Sequence, residues 1–103
     1  MTADQEFQAS GAVWRWRSTG QTTGGWYFLT VDGQTAAEIR FAGLGLTGGF
    51  GSVKVTAQVG DTVWTTSLFP HKESGGFLLP LKADVRRREK IDEGSTICVS
   101  LKL

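Results

Sequence analysis

Val53, Val55, Ala57 and Val59 alternate with Lys54, Thr56 and Gln58, the period of two that a strand with one buried face requires. Gly60-Asp61 follows, and Thr62 to Phe69 forms a second strand-like run. Glycine reaches the positive φ that tight hairpin turns demand, so the two runs read as a β-hairpin. Near the end, Ile97, Val99, Leu101 and Leu103 repeat the alternation and predict a final strand. A chain patterned in this way is expected to be mainly β, with helices in a minor role.

The remaining elements are read from local signals. Phe7 to Arg17 is a strand candidate interrupted near Gly11, with Trp14 and Trp16 on one face, and Trp26 to Val31 is dense in aromatic and β-branched residues. Met1 to Glu6 reads as a loose arm, and Ser18 to Gly25 and Leu44 to Gly51 read as glycine-rich loops. Thr35 followed by Glu38 fits a capping box, opening a helix that should stop at Gly43. Pro70 to Gly76 is expected to be a loop and Phe77 to Leu81 a short strand, with Pro80 at a strand end because it has no amide donor. Lys82 to Lys90 is a second helix.

The order of these elements suggests an internal ββαβ duplication. Two such units closing about a pseudo-twofold axis would give a small closed β-barrel with two short capping helices, and closure would remove exposed sheet edges. A chain of 103 residues has room for one such domain, expected over residues 7–103. With 40% hydrophobic and 20% charged residues it is ordinary globular material, and no apolar run is long enough to span a bilayer. Met1 to Ser10 lacks the pattern of a signal peptide, and the lone Cys98 suits a reducing compartment, so a cytoplasmic location is expected.

Several segments together resemble a known family. Gly51-Ser52-Val53-Lys54-Val55, Trp64 to Pro70, Leu79 to Arg86, Gly94 and the closing strand are similar to the domain-of-unknown-function family nineteen-oh-five, with Trp26-Tyr27-Phe28 and Glu38-Ile39 fitting its first half. The resemblance covers roughly 7–103. It implies a double-split β-barrel, distantly akin to swapped-hairpin transcription-factor domains, and no established activity. Some longer relatives carry a further domain linked by name to bacteriocin protection, which this sequence does not contain.

Catalytic signals are thin. His71 sits beside Lys72 and Glu73, and a general base would need a partner to orient it; a solvated histidine is the plainer reading. Nothing near Cys98 in sequence would activate a thiolate. No His, Cys, Asp and Glu set has metal-ligand spacing, so neither metal nor cofactor is expected. Gly43 to Gly51 lacks the Lys-Ser/Thr of a phosphate loop. Enzyme activity is therefore disfavoured.

Recognition is the better candidate. Lys82 and Arg86 are spaced i, i+4 and should project from one helix face near its start. Trp64 and Thr66 share a face of the long hairpin strand, and Trp26 opens another strand. If these five converge at the barrel mouth, the indoles form a flat wall while the cations hold a small anionic or extended ligand. The competing reading buries both tryptophans and leaves the cations paired or solvated. Arg86, Arg87, Arg88 and Lys90 also form a basic run that could meet nucleic acid, but Asp84, Glu89, Asp92 and Glu93 dilute it and the net charge is only +1, so this alternative is disfavoured. The third alternative is a structural module. Trp14 and Trp16, left in water, would then mark a self-association surface, giving a monomer or weak homodimer.

Overall fold

The computed structural model describes residues 6–16, 25–42 and 51–103. The expected arm before Glu6, and the expected loops over 18–24 and 44–50, lie outside the described residues. In chain order the elements are β1 (Glu6–Ala12), β2 (Trp14–Trp16), β3 (Trp26–Val31), α1 (Gly33–Ala42), β4 (Val53–Val59), β5 (Thr62–His71), β6 (Gly76–Pro80), α2 (Ala83–Glu89) and β7 (Thr96–Lys102). The strands form one curled antiparallel sheet in the order β1-β7-β4-β5-β6-β3-β2.

The expected hairpin is present. Val59 faces Thr62 across the Gly60-Asp61 turn, with Gly60 at φ +55°. The long strand β5 then serves two partners, pairing with β4 from Thr62 to Leu68 and with β6 from Phe69 to His71. The first strand divides its pairing similarly: β1 pairs with β7 and β2 with β3. Between them the Val13 amide donates to the Ser95 carbonyl at 2.8 Å, and the Val13 carbonyl accepts from the Gly94 amide at 2.7 Å.

Two local expectations are corrected. Pro70 and His71 belong to β5 rather than to a loop, and only 72–75 turn the chain into β6. The ladder with β4 ends at Leu68, so one edge of β5 is unpaired beyond it and a residue without an amide donor is tolerated there. Thr35 is not the cap of the first helix. Gly33, at φ +63°, turns the chain into α1 two residues earlier, and the Asp32 carbonyl accepts from the Ala36 amide at 3.3 Å. The Thr35 hydroxyl instead donates to the Gln8 carbonyl at 3.4 Å, tying α1 to β1. The second helix lies where its sequence places it. Lys82 is its extended N-cap residue and Lys90, at φ 55°, its left-handed C-cap.

Alternation fills the interior. Leu29, Leu68, Leu79, Val99, Leu101 and the α1 residue Ile39 are fully buried, and each contributes about 1.5–3 kcal/mol relative to exposure. Each helix is held to the sheet by an arginine over an aromatic ring, Arg40 at 5.5 Å from the Phe77 centroid and Arg86 at 3.8 Å from that of Tyr27. A third tie fixes α2 to the hairpin, where the buried Thr62 hydroxyl donates to Glu89 Oε2 at 2.6 Å.

Candidate functional site

The outward positions of the two long strands carry the site. On β1 and β2 they read Gln8, Ser10, Ala12, Trp14, Trp16; on β5 they read Val63, Thr65, Ser67, Phe69, His71. Each series is small or polar for most of its length and becomes aromatic where the strand passes into the β2-β3-β6-β5 half of the sheet. The strands between add Trp26 and Phe28 from β3 and Leu78 and Pro80 from β6. Registers align these side chains in rows, with Trp16 facing Trp26, Trp14 facing Phe28, Phe28 facing Pro80, and Phe69 facing Leu78.

The result is an open cleft of about 680 Å³ lined by Trp14, Trp16, Trp26, Phe28, Phe69, Leu78 and Pro80, with His71 and Glu73 at its polar end. Large apolar groups normally turn inward, yet Trp26 is 61% exposed, Trp16 49% and Phe69 47%. A contiguous apolar surface of this kind is uncommon on a small protein. The cleft is also stiffened. The Trp14 indole N–H donates to Thr30 Oγ1 at 2.8 Å, and the Trp14 ring meets Phe28 at 5.2 Å with a 41° tilt. His71 closes one end, its ring 6.3 Å from Trp14 and its Nδ1 2.8 Å from the Ser74 hydroxyl. His71 is thus half-buried at a strand end, not in a solvated loop.

The residues singled out in the sequence lie next to this cleft. Trp26, Trp64, Thr66 and Lys82 surround a separate hollow of about 110 Å³, together with Tyr27, Thr65, Pro80 and Leu81. Trp64 is only 6% exposed and forms its inner wall, while Trp26 and Pro80 stand between the hollow and the cleft and line both. Lys82 is exposed and no ion pair engages it among the described residues. Arg86 does not line the hollow. Its guanidinium lies behind Tyr27, and its Nε donates to the Leu81 carbonyl at 3.0 Å, so it holds the ring and strand that form the wall.

Sequence reasoning missed the centre of the cleft. Phe69, His71, Leu78 and Phe28 reach one surface through the β5–β6 and β3–β6 pairings, and ending β5 before Pro70 hid the shared parity of Phe69 and His71. A usable signal was present in the outward positions of β5, where threonine and serine give way to phenylalanine and histidine.

Other candidates contribute less. In the basic run, Arg87 and Arg88 both approach Asp84, at 2.8 and 3.5 Å, and Glu89 is occupied by Thr62. Cys98 is exposed on the outward face of β7. Among the described residues no group of three or more His, Cys, Asp or Glu is placed to hold a metal ion, and no helix is long and apolar enough to cross a membrane.

A mainly antiparallel β-domain with two helices and an aromatic cleft on one half of its sheet is the class these observations define. The sequence matches the family described as Domain of unknown function (DUF1905) over residues 7–101, and the chain belongs to that family. Among curated proteins none matches the chain.

Proposed function

We propose that this protein is a non-enzymatic binding module whose cleft takes the flat apolar body of a small ligand, with an acidic group of that ligand reaching the Lys82 hollow. One observation carries the reading: five aromatic side chains are spent on an outward surface where packing of the interior does not need them. Trp26 and Pro80, shared by cleft and hollow, set the two side by side, so that the charged end of a ligand seated in the cleft lies near Lys82. An exposed lysine and an apolar wall favour a carboxylate or phosphate attached to a ring system over a free ion, because burial of the ring provides most of the affinity.

The scaffold fits this role. The split pairing of β5, matched by that of β1 and β2, supports a closed double-split barrel in a single domain over 7–103, built from two ββαβ units. Strand registers superpose 7–16 on 62–71 and 26–31 on 76–81, so Phe69 faces Leu78 just as Trp14 faces Phe28. In this arrangement Leu29 faces Leu79 on the pseudo-twofold axis and the cleft lies across it. A cytoplasmic location remains our proposal, resting on the lone unpaired thiol.

Calorimetric titration with naphthoate, neutral naphthamide and naphthylmethylammonium tests the reading. The expected order is naphthoate tightest and the cation weakest, with Lys82→Ala removing the preference for the anion. Absence of heat from all three probes, or a preference for the cation, contradicts it. A second reading draws on the same exposed Trp16, Trp26 and Phe69 as a self-association surface. Size-exclusion chromatography of the native protein and Trp16→Ser decides it, since a single monomer position for both removes the dimer.

A further inference from the structure

The cleft is bordered by two further hollows, and each is lined by positive side chains, Lys82 in one and Arg40 with Lys72 in the other. At the Pro80 end stands Lys82, in the hollow already described. At the other end His71 lines the cleft and also a second open hollow of about 460 Å³, formed with Arg40, Pro70, Lys72, Gly75 and Gly76. Arg40 is fixed there. Its Nη2 donates to the Gly75 carbonyl at 2.6 Å while its plane lies 5.5 Å from the Phe77 centroid, so its remaining donors are held in place rather than free to roam. Lys72 is exposed at the hairpin tip, and no ion pair engages it among the described residues. Among the described residues Glu73 is the one carboxylate lining the cleft at this end, and Arg40 with Lys72 outweighs it.

We infer that the cleft binds an elongated ligand acidic at both ends, its apolar middle lying along β6 between the Lys82 hollow and the Arg40–Lys72 hollow. This deepens the proposed function and rests on it. Strand β6 and the residue after it set the required length: from Gly76 to Leu81 the extended chain advances five residues, or about 17 Å at the usual strand rise. A ligand with one acidic end satisfies only one hollow and leaves the other to water. The class that fits is a rigid or extended apolar rod, of roughly that length, bearing a carboxylate or phosphate at each terminus.

The probes are para-terphenyl bearing a carboxylate at one end and para-terphenyl bearing one at both ends, titrated by calorimetry against the native protein and Lys72→Ala. The second carboxylate should tighten binding about fivefold, the worth of one partly exposed ion pair. Lys72→Ala should reduce that gain and Lys72→Glu should erase it, since Arg40 remains in the hollow and an added carboxylate opposes it. Adding salt should weaken the dicarboxylate more than the monocarboxylate. Equal affinity of the two probes for the native protein overturns the two-ended ligand and leaves the proposed function standing. Failure of both probes to bind overturns both. A gain that persists in both Lys72→Ala and Lys72→Glu also overturns the assignment, because the second charge is then held elsewhere.

Discussion

The two halves of the sheet are alike on the inside and unlike on the outside. In the half formed by β1, β7, β4 and the start of β5, the inward residues apart from Thr62 and Thr66 are aliphatic or aromatic and the outward ones include Lys54, Thr56, Gln58, Thr65, Ser100 and Lys102. In the half formed by β2, β3, β6 and the end of β5, the inward residues are equally apolar, with Leu29, Val31, Phe77 and Leu79 buried, but the outward face carries tryptophan, phenylalanine, leucine and proline beside Thr30 and His71. In the first half a largely polar outer face covers an apolar interior. The second half differs in carrying large aromatic groups outward, and an exposed apolar surface raises the risk of aggregation. The proposed ligand would cover it.

Inward changes should be costly in both halves. Leu79→Ala and Leu101→Ala, one from each half and both fully buried, should each lower stability by about 3 kcal/mol in denaturant titrations. A loss confined to one of them would break the claimed equivalence of the two interiors. Gly76→Ala should cost roughly 2–3 kcal/mol, because the added methyl would overlap the Val31 carbonyl oxygen and lie 2.9 Å from Asp32 Cα, both backbone atoms that cannot swing aside.

Tie points come next. Thr62→Val removes the donor to Glu89 and should cost about 2 kcal/mol, as for a bond to a charged acceptor. Trp14→Phe removes the bond to Thr30 and should cost about 1 kcal/mol, while weakening probe binding through a loosened cleft wall. Outward changes sharpen the contrast most. Trp16→Ser and Phe69→Ser should shift stability by no more than about 0.5 kcal/mol yet abolish naphthoate binding, whereas Lys54→Ala on the polar half should alter neither. If Trp16→Ser unfolds the protein, the aromatic face is part of the core after all.

The legible parts of this fold are those written in short windows. The Val53–Val59 alternation, the Gly60-Asp61 turn and the closing strand need only neighbouring residues, and the helix read over Lys82 to Lys90 spans Ala83–Glu89, those two lysines being its caps. Trp26, Trp64, Thr66 and Lys82 were named from parity and spacing, and they do meet around one hollow. Arg86 was expected to point toward a ligand, but its role against Tyr27 depends on how α2 lies over β3, which no window contains. The large cleft was hidden for the same reason. Its rows depend on β3 pairing with β6, strands some 50 residues apart in the sequence, and on β5 continuing through a proline that ordinarily ends strands. Thr35 was misplaced because a glycine with positive φ offered an earlier entry to the helix than the capping pattern did.

The most direct test follows the four tryptophan indole N–H signals by nuclear magnetic resonance while naphthoate is added. Trp14, Trp16 and Trp26 line the cleft, whereas Trp64 lies behind the Trp26 wall. Saturable shifts of the first three, larger than that of Trp64 and lost in Phe69→Ser, are the expected result. Four unmoved signals, or equal movement of all four that persists in Phe69→Ser, would contradict the account.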